Sequence, residues 1–179
     1  MKEFGGPAFF IDRGDINTDE IIPAKYLTEI SKQALKPHLL EDLRLEITDF
    51  DPHAPALQRA RVLVTRSNFG CGSSREHAVW ALEVNDINVV IAESFARIFR
   101  QNMFNCGILA VTLDPADIDR LFALQGECDI AVDLVKEQLT ATETASGDRR
   151  SLTCAFTLNP FDKKLVQAGG WLSFADQNY

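Results

Sequence analysis

Clustered cysteines are absent from this chain of 179 residues. Its four cysteines stand far apart and form neither a C-x-x-C pair nor a cluster flanked by histidine; they are Cys71, Cys106, Cys128 and Cys154. Disulfide frameworks and self-contained zinc or iron–sulfur sites need such clusters. The sequence therefore predicts free, mostly buried thiols and no metal site built by this chain.

Long apolar runs are also lacking. None approaches the roughly twenty residues that a helix needs to span a bilayer. The first residues, Met-Lys-Glu-Phe-Gly-Gly-Pro, do not form the apolar run of a signal peptide. We therefore expect a cytoplasmic protein without a membrane partner.

Basic residues are few and scattered. Lys and Arg number 18 against 26 Asp and Glu, which gives a net charge of −8. Affinity for a phosphate backbone comes largely from clustered Lys and Arg, so no nucleic-acid partner is expected. The field of the whole molecule would not attract a small anionic substrate, and a local arginine would have to hold it.

The order of apolar runs predicts a single α/β domain over residues 1–179. Strands alternate with helices in the middle of the chain, which indicates crossover units and a mixed, partly parallel sheet. The last third is typical of β-hairpins followed by a helix. The predicted strands are residues 7–11, 61–65, 88–92, 108–112, 129–135, 138–142 and 152–157, and the predicted helices are residues 74–85, 94–104, 115–124 (with Asp114 as N-cap) and 160–168.

Four other stretches are less regular. Residues 17–27 are rich in side chains that bond their own backbone, which predicts a structured loop without a regular element. Residues 31–43 are expected to be helical only in part, because Pro37 interrupts them. Residues 51–55 are expected to form a surface linker, and residues 146–150 a polar turn between the last two strands.

The most informative segment is Asn68–His77, which reads Asn-Phe-Gly-Cys-Gly-Ser-Ser-Arg-Glu-His. It joins a predicted strand to a predicted helix, where open α/β sheets place their ligands. Its two glycines allow the backbone to approach a ligand closely. Ser73 and Glu76 also match a capping box, which is a purely structural interpretation. The segment matches neither a phosphate-binding loop nor a serine-hydrolase elbow.

Arg75 favours an anion-binding role for this segment. A cation in the first turn of a helix opposes the helix dipole, at a cost of about 0.3–1 kcal/mol. Its guanidinium, the hydroxyls of Ser73 and Ser74 and the free amides can together bind a carboxylate. We expect His77 to pack at the helix N-terminus, because it is too close in sequence to be assumed a triad base, and Cys71 to be a spacer between two glycines.

These residues resemble a signature of the swivelling domain of the aconitase superfamily, in particular the small subunits of 3-isopropylmalate dehydratases. Residues 17–27, Asn-Thr-Asp-Glu-Ile-Ile-Pro-Ala-Lys-Tyr-Leu, are similar to the N-terminal motif of that family. Residues 94–107, from Ser-Phe-Ala-Arg to Cys-Gly, are similar to its third motif. The combination covers roughly residues 10–112 in the right order, and it implies the swivelling β/β/α three-layer fold of the family.

The resemblance implies half of a hydro-lyase that acts on a small dicarboxylate. A separate large subunit would carry a [4Fe–4S] cluster on three cysteines, and this chain would bind no cofactor itself. Ser73 corresponds to the base that removes the proton α to a carboxylate. Arg75 corresponds to the residue that holds a substrate carboxylate, with Ser74 as an auxiliary donor and Asp19 in a supporting role.

Specificity is expected in the loop after Leu27, where relatives that accept a third carboxylate place an arginine. Here the loop reads Thr28-Glu29-Ile30, which favours an apolar substituent such as isopropyl and a place in leucine biosynthesis. Small subunits of homoaconitate, dimethylmalate or citraconate hydro-lyases remain alternatives, because Glu29 departs from the pattern. So do a free-standing anion-binding module and a non-enzymatic RNA-binding regulator, although the acidic charge argues against the latter.

Overall fold

Seven strands form one mixed sheet in the computed structural model, which describes residues 2–46, 48–124, 126–144 and 149–179. The spatial order is β4-β3-β2-β1-β5-β6-β7. The strands are β1 (Gly5–Phe10), β2 (Val62–Val64), β3 (Val89–Ala92), β4 (Leu109–Thr112), β5 (Cys128–Asp133), β6 (Gln138–Glu143) and β7 (Ser151–Ala155).

The first strand divides the sheet into two halves. On one side β1 pairs in parallel with β2, with Phe9 opposite Leu63, and β3 and β4 continue this parallel half. On the other side β1 pairs antiparallel with β5, with Gly6 opposite Ile130, and β6 and β7 complete an antiparallel meander. The predicted α/β class and the mixed, partly parallel sheet are therefore confirmed.

Eight α-helices within the described residues connect and cover these strands. They are α1 (Thr18–Ile21), α2 (Lys32–Leu35), α3 (Pro55–Arg59), α4 (Glu76–Val84), α5 (Arg97–Asn105), α6 (Pro115–Phe122), α7 (Pro160–Ala168) and α8 (Trp171–Asn178), with short 3₁₀ turns at Ala24–Tyr26 and Lys36–His38. No helix among the described residues is long and apolar enough to cross a bilayer.

The core lies mainly around the parallel half. Every residue of β2 and β3 is buried, which explains why both strands are continuous apolar runs. Helix α4 packs against α2 and α5, and α5 packs against α7. Phe69, from the segment after β2, contacts the Phe99 ring of α5 edge-on with ring centroids 5.6 Å apart. This aromatic contact fixes the segment after β2 to the core.

Several predicted elements need correction. Residues 17–27 are more regular than predicted, because the Asn17 side chain caps the short helix α1. The expected linker at 51–55 ends where Pro55 begins α3, since proline is favoured at the first helical position. Asp114 is the N-cap residue of α6, as expected, although its side chain makes no capping bond. Helix α8 was not predicted, and most of the expected turn at 146–150 lies outside the described residues.

Candidate active site

Three separate segments of the chain meet at the carboxyl ends of β1, β2 and β3. The segment after β2 is held on one side by the segment after β1, through Gly70 N to Ile16 O at 2.8 Å and Thr18 N to Cys71 O at 3.0 Å. On its other side Phe69 N donates to Ser94 O, after β3, at 3.1 Å. These backbone bonds extend the parallel pairing beyond the strands and bring together the three sequence motifs.

Gly70 allows this close packing. Its φ of +82° lies in the left-handed region, which side chains other than glycine rarely adopt. A Cβ at this position would also collide with the ring of Phe99. The segment can therefore run against α5 only with glycine here.

Helix α4 begins later than the sequence pattern predicts. Its N-cap is Arg75, with an extended backbone (φ −135°, ψ 116°) and no capping bond from its side chain. The predicted capping box of Ser73 with Glu76 is therefore wrong. The physical reason is a tertiary bond, since Thr18 Oγ1 donates to Ser73 O at 2.8 Å and the chain stays non-helical from that point to Arg75.

Ser73 and Ser74 are consequently exposed just before the N-terminus of α4. The first amides of a helix lack partners within the helix, so they add donors to this end of α4. The three expected residues Ser73, Ser74 and Arg75 thus lie together at the open edge of the sheet. This arrangement suits the binding of an anion such as a carboxylate. The carbon next to that carboxylate, which carries a proton, could then lie beside a serine hydroxyl.

Asp19 and Arg75 form an ion pair between the first turn of α1 and the start of α4. The Arg75 side chain is 19% exposed, whereas that of Asp19 is 59% exposed. The guanidinium is therefore held against the protein while its carboxylate partner faces solvent. The structure thus brings together two residues that the sequence placed 56 positions apart.

Thr28 is exposed on the loop that follows the turn Ala24–Tyr26. The next residue, Glu29, accepts a hydrogen bond through its carbonyl oxygen from His77 Nε2 at 3.0 Å. The His77 ring packs on Trp80 with centroids 4.6 Å apart. His77 therefore packs in the first turn of α4, as expected, and it joins the loop of Thr28 to that helix.

The sequence reasoning missed the support of α1. Glu20 N donates to Asn17 Oδ1 at 2.9 Å and Asn17 N donates back to Glu20 Oε1 at 3.3 Å, which is a capping box. Arg13 donates from both terminal nitrogens to the same carboxylate, and this hydrogen-bonded pair raises the pKa of Arg13. The pattern Asn17-x-x-Glu20 is a recognisable helix start and would have revealed α1.

The cysteines do not gather at the site. Among the described residues no group of three or more His, Cys, Asp or Glu could hold a metal, so these residues do not fit an iron–sulfur cluster. All four cysteines are free, and Cys128 and Cys154 are buried. Partial burial raises the pKa of the Cys71 thiol, which disfavours the nucleophilic thiolate and agrees with a spacer between two glycines.

Comparison with known proteins gives matches to one family. The model of the aconitase C-terminal domain family matches residues 10–116. A 3-isopropylmalate dehydratase small subunit from Pseudoalteromonas translucida (strain TAC 125) is 41% identical over 150 residues, which is 79% of this chain and 75% of that protein.

A solved structure shares the fold over nearly its whole length. It is the crystal structure of 3-isopropylmalate dehydratase from Methanocaldococcus jannaschii DSM2661, with a TM-score of 0.74 and 26% sequence identity. The match covers 98% of this chain and 95% of that one.

Proposed function

The chain belongs to the aconitase C-terminal domain family and, within it, to the small subunits of 3-isopropylmalate dehydratases, and on that premise we propose that it supplies half of a hydro-lyase active site. Joined to a separate large subunit, it takes part in the isomerisation of 2-isopropylmalate to 3-isopropylmalate by dehydration and rehydration in leucine biosynthesis. It works as one domain in the cytoplasm.

One observation carries the proposal. Ser73, Ser74 and Arg75 lie together at the carboxyl edge of the parallel strands, with Asp19 paired to the arginine. All three motif segments contribute to holding this edge through backbone bonds. The edge is open to solvent, so a second protein can complete the site.

Ser73 is proposed as the base that removes the proton from the carbon α to a carboxylate. A serine hydroxyl is a poor base at its ordinary pKa, so the alkoxide must be stabilised where it forms. The N-terminus of α4 and the Arg75 guanidinium both place positive charge at this point. Ser73 is exposed, and its backbone is fixed through its carbonyl by Thr18, so the hydroxyl can meet substrate without a change in the fold.

Arg75 is proposed to bind a substrate carboxylate. Its planar guanidinium matches a carboxylate with two parallel hydrogen bonds. The exposed carboxylate of Asp19 keeps the guanidinium oriented before substrate binds, and Ser74 adds a further donor beside it. Substrate binding therefore requires little rearrangement of the arginine, which lowers the ordering cost.

The large subunit is proposed to carry a [4Fe–4S] cluster, whose chemistry is to bind the substrate hydroxyl and a carboxylate through one iron. On this chain, Ser73 accepts the proton and Arg75 holds the second carboxylate. The loop with Thr28 contacts the substituent that distinguishes one malate derivative from another. This loop has no arginine for a third carboxylate, which favours an apolar substituent.

The test is turnover by the assembled complex. The chain is co-expressed with the large subunit of a relative, the cluster is reconstituted without oxygen, and the absorbance of the unsaturated intermediate is followed in the ultraviolet. We expect turnover of 2-isopropylmalate to exceed that of homoaconitate, 2,3-dimethylmalate and citraconate. Preference for another member of this panel would reassign the substrate, and a complex inactive on all of them would refute the proposal.

A further inference from the structure

We propose that His77 is a positioning residue that holds the loop of Thr28, Glu29 and Ile30 at a fixed place relative to Arg75, and thereby sets selectivity for the substrate's substituent. This inference rests on the proposed function, because the loop must face the substituent. His77 lies two residues after Arg75, in the first turn of α4. The N-terminal end of α4 therefore carries both the carboxylate-binding residue, at the N-cap, and the anchor of the loop, in the first turn.

The anchor is a hydrogen bond to the main chain. His77 Nε2 lies 3.0 Å from the carbonyl oxygen of Glu29, and a carbonyl can only accept, so Nε2 carries the proton. The amide of Glu29 in turn donates to Tyr26 O at 3.1 Å. The backbone of Glu29 is thus tied on both of its polar groups, whichever side chain residue 29 carries.

The imidazole is itself held in place by packing. Its ring lies against the indole of Trp80, with the two planes inclined at 45°. The ammonium of Lys32 lies 5.5 Å from the centroid of the same indole and pairs with Glu83 of α4 at 2.9 Å. The chain is therefore attached to α4 at two places, within the loop at Glu29 and just after it at Lys32, the first residue of α2.

The loop displays two exposed side chains on either side of the tied residue. Thr28 is exposed, and the apolar side chain of Ile30 is 97% exposed. An apolar substituent that covers Ile30 removes apolar surface from water, and the hydrophobic effect therefore favours its binding. A loop that is already ordered pays less conformational entropy when this contact forms, so the anchor strengthens binding of branched substrates in particular.

The test compares two variants of His77 that separate the effect of its hydrogen-bond donor from the effect of its ring. His77→Phe keeps a ring against Trp80 and removes the hydrogen bond, whereas His77→Gln restores an N–H donor without the ring. His53→Phe is the matched control, because His53 is exposed and lies outside the three motifs. Each full-length variant is measured in the reconstituted complex, with 2-isopropylmalate and its methyl analogue citramalate. Deuterium uptake at residues 28–31 is followed in parallel.

We expect His77→Phe to raise the KM for 2-isopropylmalate about fivefold, as loss of one net hydrogen bond implies, with kcat changed less than twofold. The KM for citramalate changes less, deuterium uptake at residues 28–31 rises, and His77→Gln restores both. Unchanged selectivity, an equal loss of kcat on both substrates, or no rescue by glutamine would overturn the inference. Should the wild-type complex turn over neither substrate, the proposed function fails, and unaltered deuterium uptake in His77→Phe would separately refute the anchor.

Discussion

Strands β2 and β3 of the parallel half are buried along their whole length, whereas β5, β6 and β7 of the antiparallel half alternate between buried and more exposed residues. The more exposed side chains of β6 and β7 bond across the strands, with Thr140 Oγ1 3.1 Å from Thr153 Oγ1 and Thr142 Oγ1 3.1 Å from Ser151 Oγ. Both faces of β2 and β3 are therefore covered, whereas β6 keeps one face that is more exposed than the other.

The two halves also differ in what their loops carry. Parallel strands all end at the same edge of a sheet, so the segments after β1, β2 and β3 meet there and bring together Asp19, Ser73 and Arg75. The successive turns of an antiparallel meander lie at alternate edges and cannot gather in this way. The family match over residues 10–116 runs from the last residue of β1 through β2, β3 and β4 to the start of α6, and it stops before β5. We infer that the parallel half carries the chemistry and the antiparallel half completes the sheet.

Among the substitutions that compare the two halves of the sheet, replacement of a serine is expected to have the largest effect on turnover. Ser73→Ala removes the proposed base, so kcat of the reconstituted complex should fall about 10²- to 10⁴-fold. Ser151→Ala removes an exposed hydroxyl of the antiparallel half and should leave kcat unchanged. Steady-state rates with 2-isopropylmalate measure both. A Ser73→Ala complex with near-normal kcat would exclude this serine as the base.

Two glycine substitutions, compared with each other, test the packing beneath the site. Gly70→Ala forces a Cβ into the Phe99 ring at positive φ and should lower the free energy of unfolding by about 3 kcal/mol. Gly72→Ala also has positive φ, but its Cβ would lie no closer than 3.6 Å to Asn17, so about 1 kcal/mol is expected. Urea unfolding measures the difference. Equal losses of unfolding free energy in the two variants would contradict a contribution of the Phe99 contact to stability.

An arginine exchange tests the anion site. Arg75→Lys keeps the charge but loses the planar fork, so KM should rise about tenfold while the fold is retained. Arg59→Lys is the control, because Arg59 pairs with Glu127, which lies just before β5 of the antiparallel half. Substrate titrations of both complexes give the KM values. Equal KM values for the two variants would contradict a carboxylate contact at Arg75.

The smallest expected effect concerns pH. Partial burial, together with the carboxylates of Glu83 and Glu76, raises the pKa of the Cys106 thiol to about 11. A raised pKa means that its contribution to stability is complete below the ordinary thiol value of about 8.5 and is lost as pH rises through 11. Wild type should therefore lose stability more steeply than Cys106→Ser between these values, as unfolding at each pH would show. Parallel curves would indicate that the thiol is solvated.

Much of the fold can be predicted from the sequence wherever the apolar pattern and the local start and stop residues indicate the same element. Strands β2 and β3 are predicted because they are continuous apolar runs buried on both faces. Helix α7 begins and ends at the predicted residues, with Asn159 capping its start and Gly169 adopting a left-handed conformation after its last residue. Helix α8 was missed because it follows directly after the Gly-Gly stop.

The residues of the candidate site can be named from the sequence, whereas their geometry cannot. The sequence identified Ser73, Ser74 and Arg75 as one group, and they are neighbours in the structure as well. The sequence pattern predicts too early a start for α4, because Thr18 holds Ser73 through a bond across 55 positions of the chain that no local pattern reveals. The pairing of Asp19 with Arg75 depends on the same long-range contact between α1 and the segment after β2.

Hydrogen–deuterium exchange of the whole chain tests the central claim most directly. Deuterium uptake is compared for the free chain and for the complex with a large subunit in the presence of 2-isopropylmalate. We predict that protection on complex formation concentrates at residues 15–20, 67–77 and 94–97, at the carboxyl edge of the parallel strands, and leaves residues 128–144 unchanged. Protection confined to the antiparallel half would contradict the account.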